Sequence, residues 1–132
     1  MRMRIELVEK EITKDVIGSF FEVYNTLGYG FMEFVYSLAM EQELLLRGHT
    51  VEREVAVPVF YKGKLLTTQR VDMMMDGKVV VENKAGPLLP PTARLQALSY
   101  VRSTHLEVGL VLHFGPEAKF YRVVHTNTQN RI

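Results

Sequence analysis

Glu82-Asn83-Lys84 stands at the end of the β-branched run Val79-Val80-Val81. Side chains alternate along a strand, so Glu82 and Lys84 share a face about 6.6 Å apart and Asn83 points the other way. A carboxylate and an ammonium projecting together suit metal binding and charge neutralisation. They suit a plain cross-strand ion pair as well. The acid-x-Lys spacing recurs at Asp76-Gly77-Lys78 and Glu117-Ala118-Lys119. The first is a turn and the other follows Gly115-Pro116, so only Glu82-Asn83-Lys84 has the strand context.

Asp72 lies ten residues before Glu82, across the turn signal Asp76-Gly77. Whether the two acids meet depends on register. A two-residue turn pairs Met75 with Lys78 and sends Asp72 and Glu82 to opposite faces. A three-residue loop pairs Met75 with Val79 and sets Asp72 opposite Glu82 on one face. Two carboxylates side by side repel, so that register calls for a cation between them.

A third acid belongs to a helix expected over about Phe31 to Arg47. There Phe31, Phe34, Val35, Leu38 and Leu45 form one apolar side, and Glu33 lies opposite with Tyr36, Met40 and Leu44. A glutamate among such neighbours is costly to desolvate unless it is paired or binds a metal. Gln96 and Tyr100, four apart, share a face of a later helix whose core residues are read as Leu95, Leu98 and Val101.

The elements that must position these residues follow from periodicity. Ile12, Val16, Phe20, Val23 and Leu27 recur at helical spacing, and Gly28-Tyr29-Gly30 stops that helix. After the Glu33 helix, Val51 to Tyr61 alternates as a strand, with Pro58 marking an edge. Gln69–Met75 and Val79–Lys84 form a hairpin. Pro90-Pro91-Thr92 opens a helix through about Arg102. Leu106–Phe114 is a buried strand and Phe120–His125 the last one. The order α-α-β-β-β-α-β-β predicts an α/β (α+β) fold on one central mixed sheet flanked by helices.

A chain of 132 residues, 47% hydrophobic and 23% charged, is the length and balance of one globular domain, taken as 1–132. Cysteine is absent, which excludes a disulfide framework, an iron–sulfur cluster, a thiolate zinc site and a cysteine nucleophile. His49, His105, His113 and His125 show no metal-ligand spacing. There is no phosphate-cradling G-x-x-x-x-G-K-[ST] loop, no G-x-G-x-x-G and no G-x-S-x-G elbow. No apolar run reaches the roughly 18 residues that span a bilayer, and the first residues lack an apolar signal core, so the expected compartment is the cytoplasm. Net charge is +1, but residues 1–57 carry 6 Lys/Arg and 10 Asp/Glu, against 10 and 5 in 58–132. The second half can therefore offer a basic face to an acidic partner.

Gly30-Phe-Met-Glu33-Phe-Val-Tyr36 fits the G-x-x-E-x-x-Y signature, and the chain resembles the small prokaryotic GxxExxY family, a branch of the PD-(D/E)XK nuclease superfamily. The resemblance runs from about Ile12 to Val124. It implies a restriction-endonuclease-like core. Asp72 matches the metal-binding aspartate of the second core strand, Glu82-Asn83-Lys84 the E-x-K of the third, and Gln96-x-x-x-Tyr100 the Q-x-x-x-Y of the exonuclease-like branch. Val71 stands where the superfamily name has proline, Ala93 where related sequences often place histidine, and Asn83 is a polar middle residue.

The resemblance implies that Glu33, Asp72, Glu82 and the main-chain carbonyl of Asn83 bind Mg²⁺ or Mn²⁺. With Lys84, the three acids would be the catalytic residues of phosphodiester hydrolysis on nucleic acid, DNA before RNA. Gln96, Tyr100 and Tyr36 would be substrate-binding. The alternatives are a catalytically silent nuclease fold that binds nucleic acid or a protein partner, and an interaction module with ordinary surface acids. Lys62, Lys64, Arg70, Lys78, Arg94 and Arg102 are candidate phosphate contacts. Tyr61, Phe114, Phe120 and Tyr121 are read as core. A bare core gains binding surface by pairing, so a homodimer is expected.

Overall fold

A computed structural model describes residues 8–126. Helix α1 (Lys10–Leu27) buries Val16, Phe20 and Val23, the expected stripe. Gly28, at φ 76°, ends it and donates its N–H to the Tyr24 carbonyl. That left-handed backbone is cheap only for glycine. Helix α2 (Glu33–Leu46) follows. Its buried side is Tyr36, Ser37, Met40 and Leu44. The opposite stripe is not core: Phe34 is 60%, Leu38 46% and Leu45 53% exposed. Two apolar stripes compete on this helix, and the one that faces the sheet is the one carrying Glu33.

Strands β1 (Val51–Tyr61), β2 (Lys64–Met75), β3 (Val79–Ala85), β4 (Val108–Phe114) and β5 (Ala118–Val124) form one sheet in the order β1-β2-β3-β4-β5. β1 is an edge, as Pro58 predicts. β3 and β4 are parallel and the other pairs antiparallel. Helix α3 (Ala93–Thr104) makes the crossover between β3 and β4. Their inner positions, Val79 to Val81 and Leu110 to Leu112, are fully buried because helices cover both faces. α1 and α2 pack on one face through Phe20, Met40, Met73, Leu112 and Phe114. Burying Phe20 fully contributes about 2–3 kcal/mol. α3 covers the other face with Ala97, Tyr100 and Val101, whereas Leu95 is 68% exposed and not core. A Cβ on Gly109 would come within 2.9 Å of Val101, so this glycine lets α3 lie close on β4. Among the described residues no helix is long and apolar enough to cross a membrane.

β2 starts five residues earlier than the alternation suggests, at Lys64 rather than Gln69. It also changes face. Val51, Met73 and Met75 belong to the α1–α2 core, while Val55, Val57 and Val71 belong to the α3 side. On a flat strand Val71 and Met73 would share a face. The switch falls where Glu54, at φ 57°, stands across from Asp72, and neither takes part in the ladder.

His49, between α2 and β1, ties three elements together. Its ring nitrogens lie 2.6 Å from the Asp76 carboxylate and 2.7 Å from that of Asp15. These bonds, Asp76 first, raise the His49 pKa above its ordinary 6.5. The folded state therefore holds a proton that the unfolded chain releases. The added stability is full below pH 6.5 and is lost as pH rises through the folded pKa. Unfolding at pH 6 should show His49→Gln about 1–3 kcal/mol less stable than wild type. The gap should shrink by pH 9, and equal gaps at both pH values would contradict the ion-pair account.

Candidate functional site

The β2–β3 loop decides the register. Asp76 and Gly77 both take left-handed backbone, and the Lys78 N–H bonds to the Met75 carbonyl. Met75 pairs with Val79, Met74 with Val80 and Met73 with Val81. This is the register that brings Asp72 to Glu82. There the ladder stops, and side chains replace main chain: Asp72 donates its N–H to Glu82 Oε1 at 2.9 Å, and Asn83 donates its N–H to Asp72 Oδ2 at 3.0 Å.

The two carboxylates are not aligned side by side as flat strands would have them. The face switch at Glu54 and Asp72 turns the Asp72 carboxylate toward α2. There it accepts Asn83 Nδ2 at 2.9 Å and Ser37 Oγ at 3.2 Å. Asn83 Nδ2 also bonds to Ser37 and to Met73 Sδ, so the fully buried amide donates toward α2 while its Oδ1 has no partner among the described residues, and Lys84 points to α3. Lys84 Nζ donates to Gln96 Oε1 at 3.3 Å. Ser37 escaped the motif reading, although it sits one helical turn after Glu33. Its signal was a small hydroxyl on the buried stripe of α2.

The electrostatics tie the acids into one cluster. Burial, above all, pushes the Glu82 carboxyl from 4.5 up to about 7. The Asp72 N–H opposes this, Asp72 and Glu33 add to it, and Lys84 draws it down. Asp72 is raised mainly by burial, against the bonds from Asn83 and Ser37, with Glu54 adding repulsion. Glu33 is exposed as a residue, yet desolvation of its carboxyl raises it, with Lys84 and the Ala85 N–H pulling down and Asp72 pushing up. Three acids and one lysine thus meet at the end of β3, between the start of α2 and the middle of α3.

The other expected positions divide. Tyr100 is buried beside the cluster, and its hydroxyl is raised by desolvation and then by Glu82. Tyr36 is not placed to touch a substrate. It is fully buried, stacks on Phe114 at 4.2 Å, donates to the Gly28 carbonyl at 2.6 Å and accepts the Phe31 N–H at 3.2 Å. The glycine-to-tyrosine spacing is thereby a brace for the loop before Glu33. Arg94 lies over the Tyr121 ring at 3.8 Å, and Lys78 sits in the turn at the opposite end of β3 from Lys84. Phe114 is core, but Tyr61 is 60% and Phe120 40% exposed, so neither of those two is core.

On donor chemistry the acids fit a divalent cation: hard carboxylate oxygens that repel one another, with one ammonium to offset them. The Asn83 carbonyl lies past the end of the β2–β3 ladder. As placed, Asp72 and Glu82 each spend an oxygen on a main-chain N–H. Among the described residues no three His, Asp or Glu side chains are grouped so as to hold a metal ion.

The family description "PD-(D/E)XK nuclease superfamily" matches residues 10–123. The solved structure described as "Crystal structure of SSO0001" resembles this fold with a TM-score of 0.54 at 21% identity. The match covers 70% of this chain and 50% of that one, so this chain spans about half of that protein's length. No curated protein matches the sequence.

Proposed function

The chain belongs to the PD-(D/E)XK nuclease superfamily, and from that premise we propose a divalent-metal-dependent phosphodiesterase acting on nucleic acid, DNA before RNA. The observation that carries this is the meeting of Glu33, Asp72, Glu82 and Lys84 at one solvent-reached strand end. Within the superfamily the Gly30–Tyr36 signature supports a place in the GxxExxY branch, which we propose as one nuclease-like domain over 1–132.

Glu33, Asp72, Glu82 and the Asn83 carbonyl would hold Mg²⁺ or Mn²⁺. The bound ion supplies Lewis-acid stabilisation at the phosphodiester and lowers the pKa of a water. Lys84 orients the attacking water and stabilises charge growing on the phosphorus oxygens. Gln96 holds the Lys84 ammonium in place through its side-chain oxygen. Tyr100, whose hydroxyl feels the Glu82 charge, would contact the substrate from the α3 side. Ser37 and the Asn83 amide hold the Asp72 carboxylate toward α2. The exposed Phe34–Leu38–Leu45 stripe supports assembly as a homodimer, which a sedimentation mass of one chain would overturn.

A second reading, a nuclease fold that binds without cutting, draws on one observation: Asp72 and Glu82 are both engaged by main-chain N–H groups. Incubating the protein with single- and double-stranded DNA and RNA, in Mg²⁺, Mn²⁺ or EDTA, separates the two. Metal-dependent cleavage is the expected result. Intact substrate under every condition would leave the binding reading.

A further inference from the structure

β1 and β2 outrun the sheet. β2 meets β3 only from Met73 to Met75, so from Val55 to Val71 the two strands pair with each other alone. The base of this ribbon is anchored on α3: Val55, Val57 and Val71 pack with Tyr100 and Val101, and Gln69 bonds to Ser99 and Ser103. Beyond Val59, from Phe60 to Thr68, every residue is exposed. Phe60 and Tyr61 are each 60% exposed, Leu65 58% and Leu66 63%. An isolated two-stranded ribbon is marginal in water, and one tipped with apolar side chains gains most by lying against something.

Charge indicates what that is. From Val55 to Val71 the ribbon carries Lys62, Lys64 and Arg70 and no acid. Arg70 is spent on Glu54, at 3.8 Å. Lys62 lies 5.5 Å over the Tyr61 ring, and neither Lys62 nor Lys64 forms an ion pair among the described residues. Facing the ribbon across a groove, α3 presents Arg102 and Ser103 to Pro58, Val59 and Phe60. A second copy of the ribbon laid alongside would set these lysines against their like. A polyanion would not.

The ribbon is also aligned with the chemistry. It grows out of the strand that carries Asp72, and Lys64 lies eight residues further out, at most about 26 Å away. That is the length of roughly eight base pairs. α3 links the two places, with Gln96 on Lys84 and Ser99 and Ser103 on Gln69. A two-stranded ribbon fits the major groove of B-form DNA, roughly 12 Å wide, and not the deep, narrow major groove of duplex RNA.

We propose that the Val55–Val71 ribbon is an arm that grips duplex DNA up to about eight base pairs from the acid cluster. Lys62, Lys64 and Arg102 meet phosphates, and Phe60 and Tyr61 lie against base edges. The proposal rests on the nuclease reading for its orientation, but its test does not require cleavage. Anisotropy of a labelled 24-base-pair duplex, in EDTA and over a range of KCl, would compare wild type with Lys62→Gln/Lys64→Gln, Phe60→Ser/Tyr61→Ser and Lys14→Gln. Lys14 is an exposed control on α1, across the sheet.

Both arm variants should melt like wild type, since their side chains are exposed. The lysine pair should bind roughly tenfold more weakly, with the slope of log K against log salt reduced by about two. The aromatic pair should bind more weakly with an unchanged slope, and Lys14→Gln should bind as wild type does. Unchanged affinity in both arm variants would overturn the arm, as would an equal loss in Lys14→Gln. So would arm-dependent binding that is tighter to single-stranded DNA or duplex RNA. Metal-dependent cutting with no arm effect would leave the nuclease reading standing and remove the arm. An arm effect with no cutting in any metal would do the reverse.

Discussion

Replacing Lys84 by alanine is expected to slow metal-dependent cleavage by about 10²–10³-fold. Lys84 is the one ammonium in a cluster of three acids, and its Nζ is held by Gln96 at 3.3 Å. A positioned cation aimed at charge that develops in the transition state is worth far more there than in water. The side chain is partly exposed and packs no core, so the loss should not be one of folding. Lys84→Arg keeps the charge but spreads it over a planar fork, and should recover only part of the rate. Single-turnover cleavage at saturating DNA, beside thermal melts of each variant, makes the distinction. A rate within threefold of wild type in Lys84→Ala would remove this residue from the chemistry.

Glu82→Gln should abolish cleavage and, in EDTA, stabilise the fold at alkaline pH. The Glu82 carboxyl is pushed up to about 7, first by burial and then by Asp72 and Glu33. Between pH 4.5 and 7 the folded protein keeps a proton that the unfolded chain has released. The resulting stability is complete below pH 4.5 and is lost as pH rises through about 7. By pH 8 the metal-free wild type has forgone roughly 3 kcal/mol. Glutamine can still accept the Asp72 N–H and has nothing to ionise. The two proteins should therefore unfold alike at pH 5 and diverge by several degrees at pH 8, with the variant ahead. Mg²⁺ should restore the wild type and not the variant, because only the folded carboxylate cluster gains a cation. Parallel pH profiles in EDTA would show that Glu82 is not held in a desolvated cluster.

Much of this architecture is legible locally. The β-branched run Val79 to Val81 reads as a strand, and it places Glu82 and Lys84 at its end. Asp76-Gly77 reads as a turn because both residue types tolerate left-handed backbone, which both adopt. Pro58 on an edge and Gly28 at a helix end follow from the missing N–H and the missing Cβ. Periods of 3.6 and 2 reach no further than the element that carries them. They cannot rank the two apolar stripes of α2, and they place Leu95 in the core although it is 68% exposed.

The kinds of element, their order, and which acids and which lysine stand at strand and helix ends are local properties of the chain, because propensity, turn chemistry and side-chain alternation act within a few residues. The rest came from long-range packing. It chose the Met75–Val79 register, sent Tyr36 into a core brace, and brought Ser37 to Asp72 across 35 positions. It also turned the β1–β2 ribbon from one face of the sheet to the other at Glu54 and Asp72. Each of these outcomes is a competition between distant surfaces for the same burial. Its winner depends on what the partner element presents, which no local pattern contains.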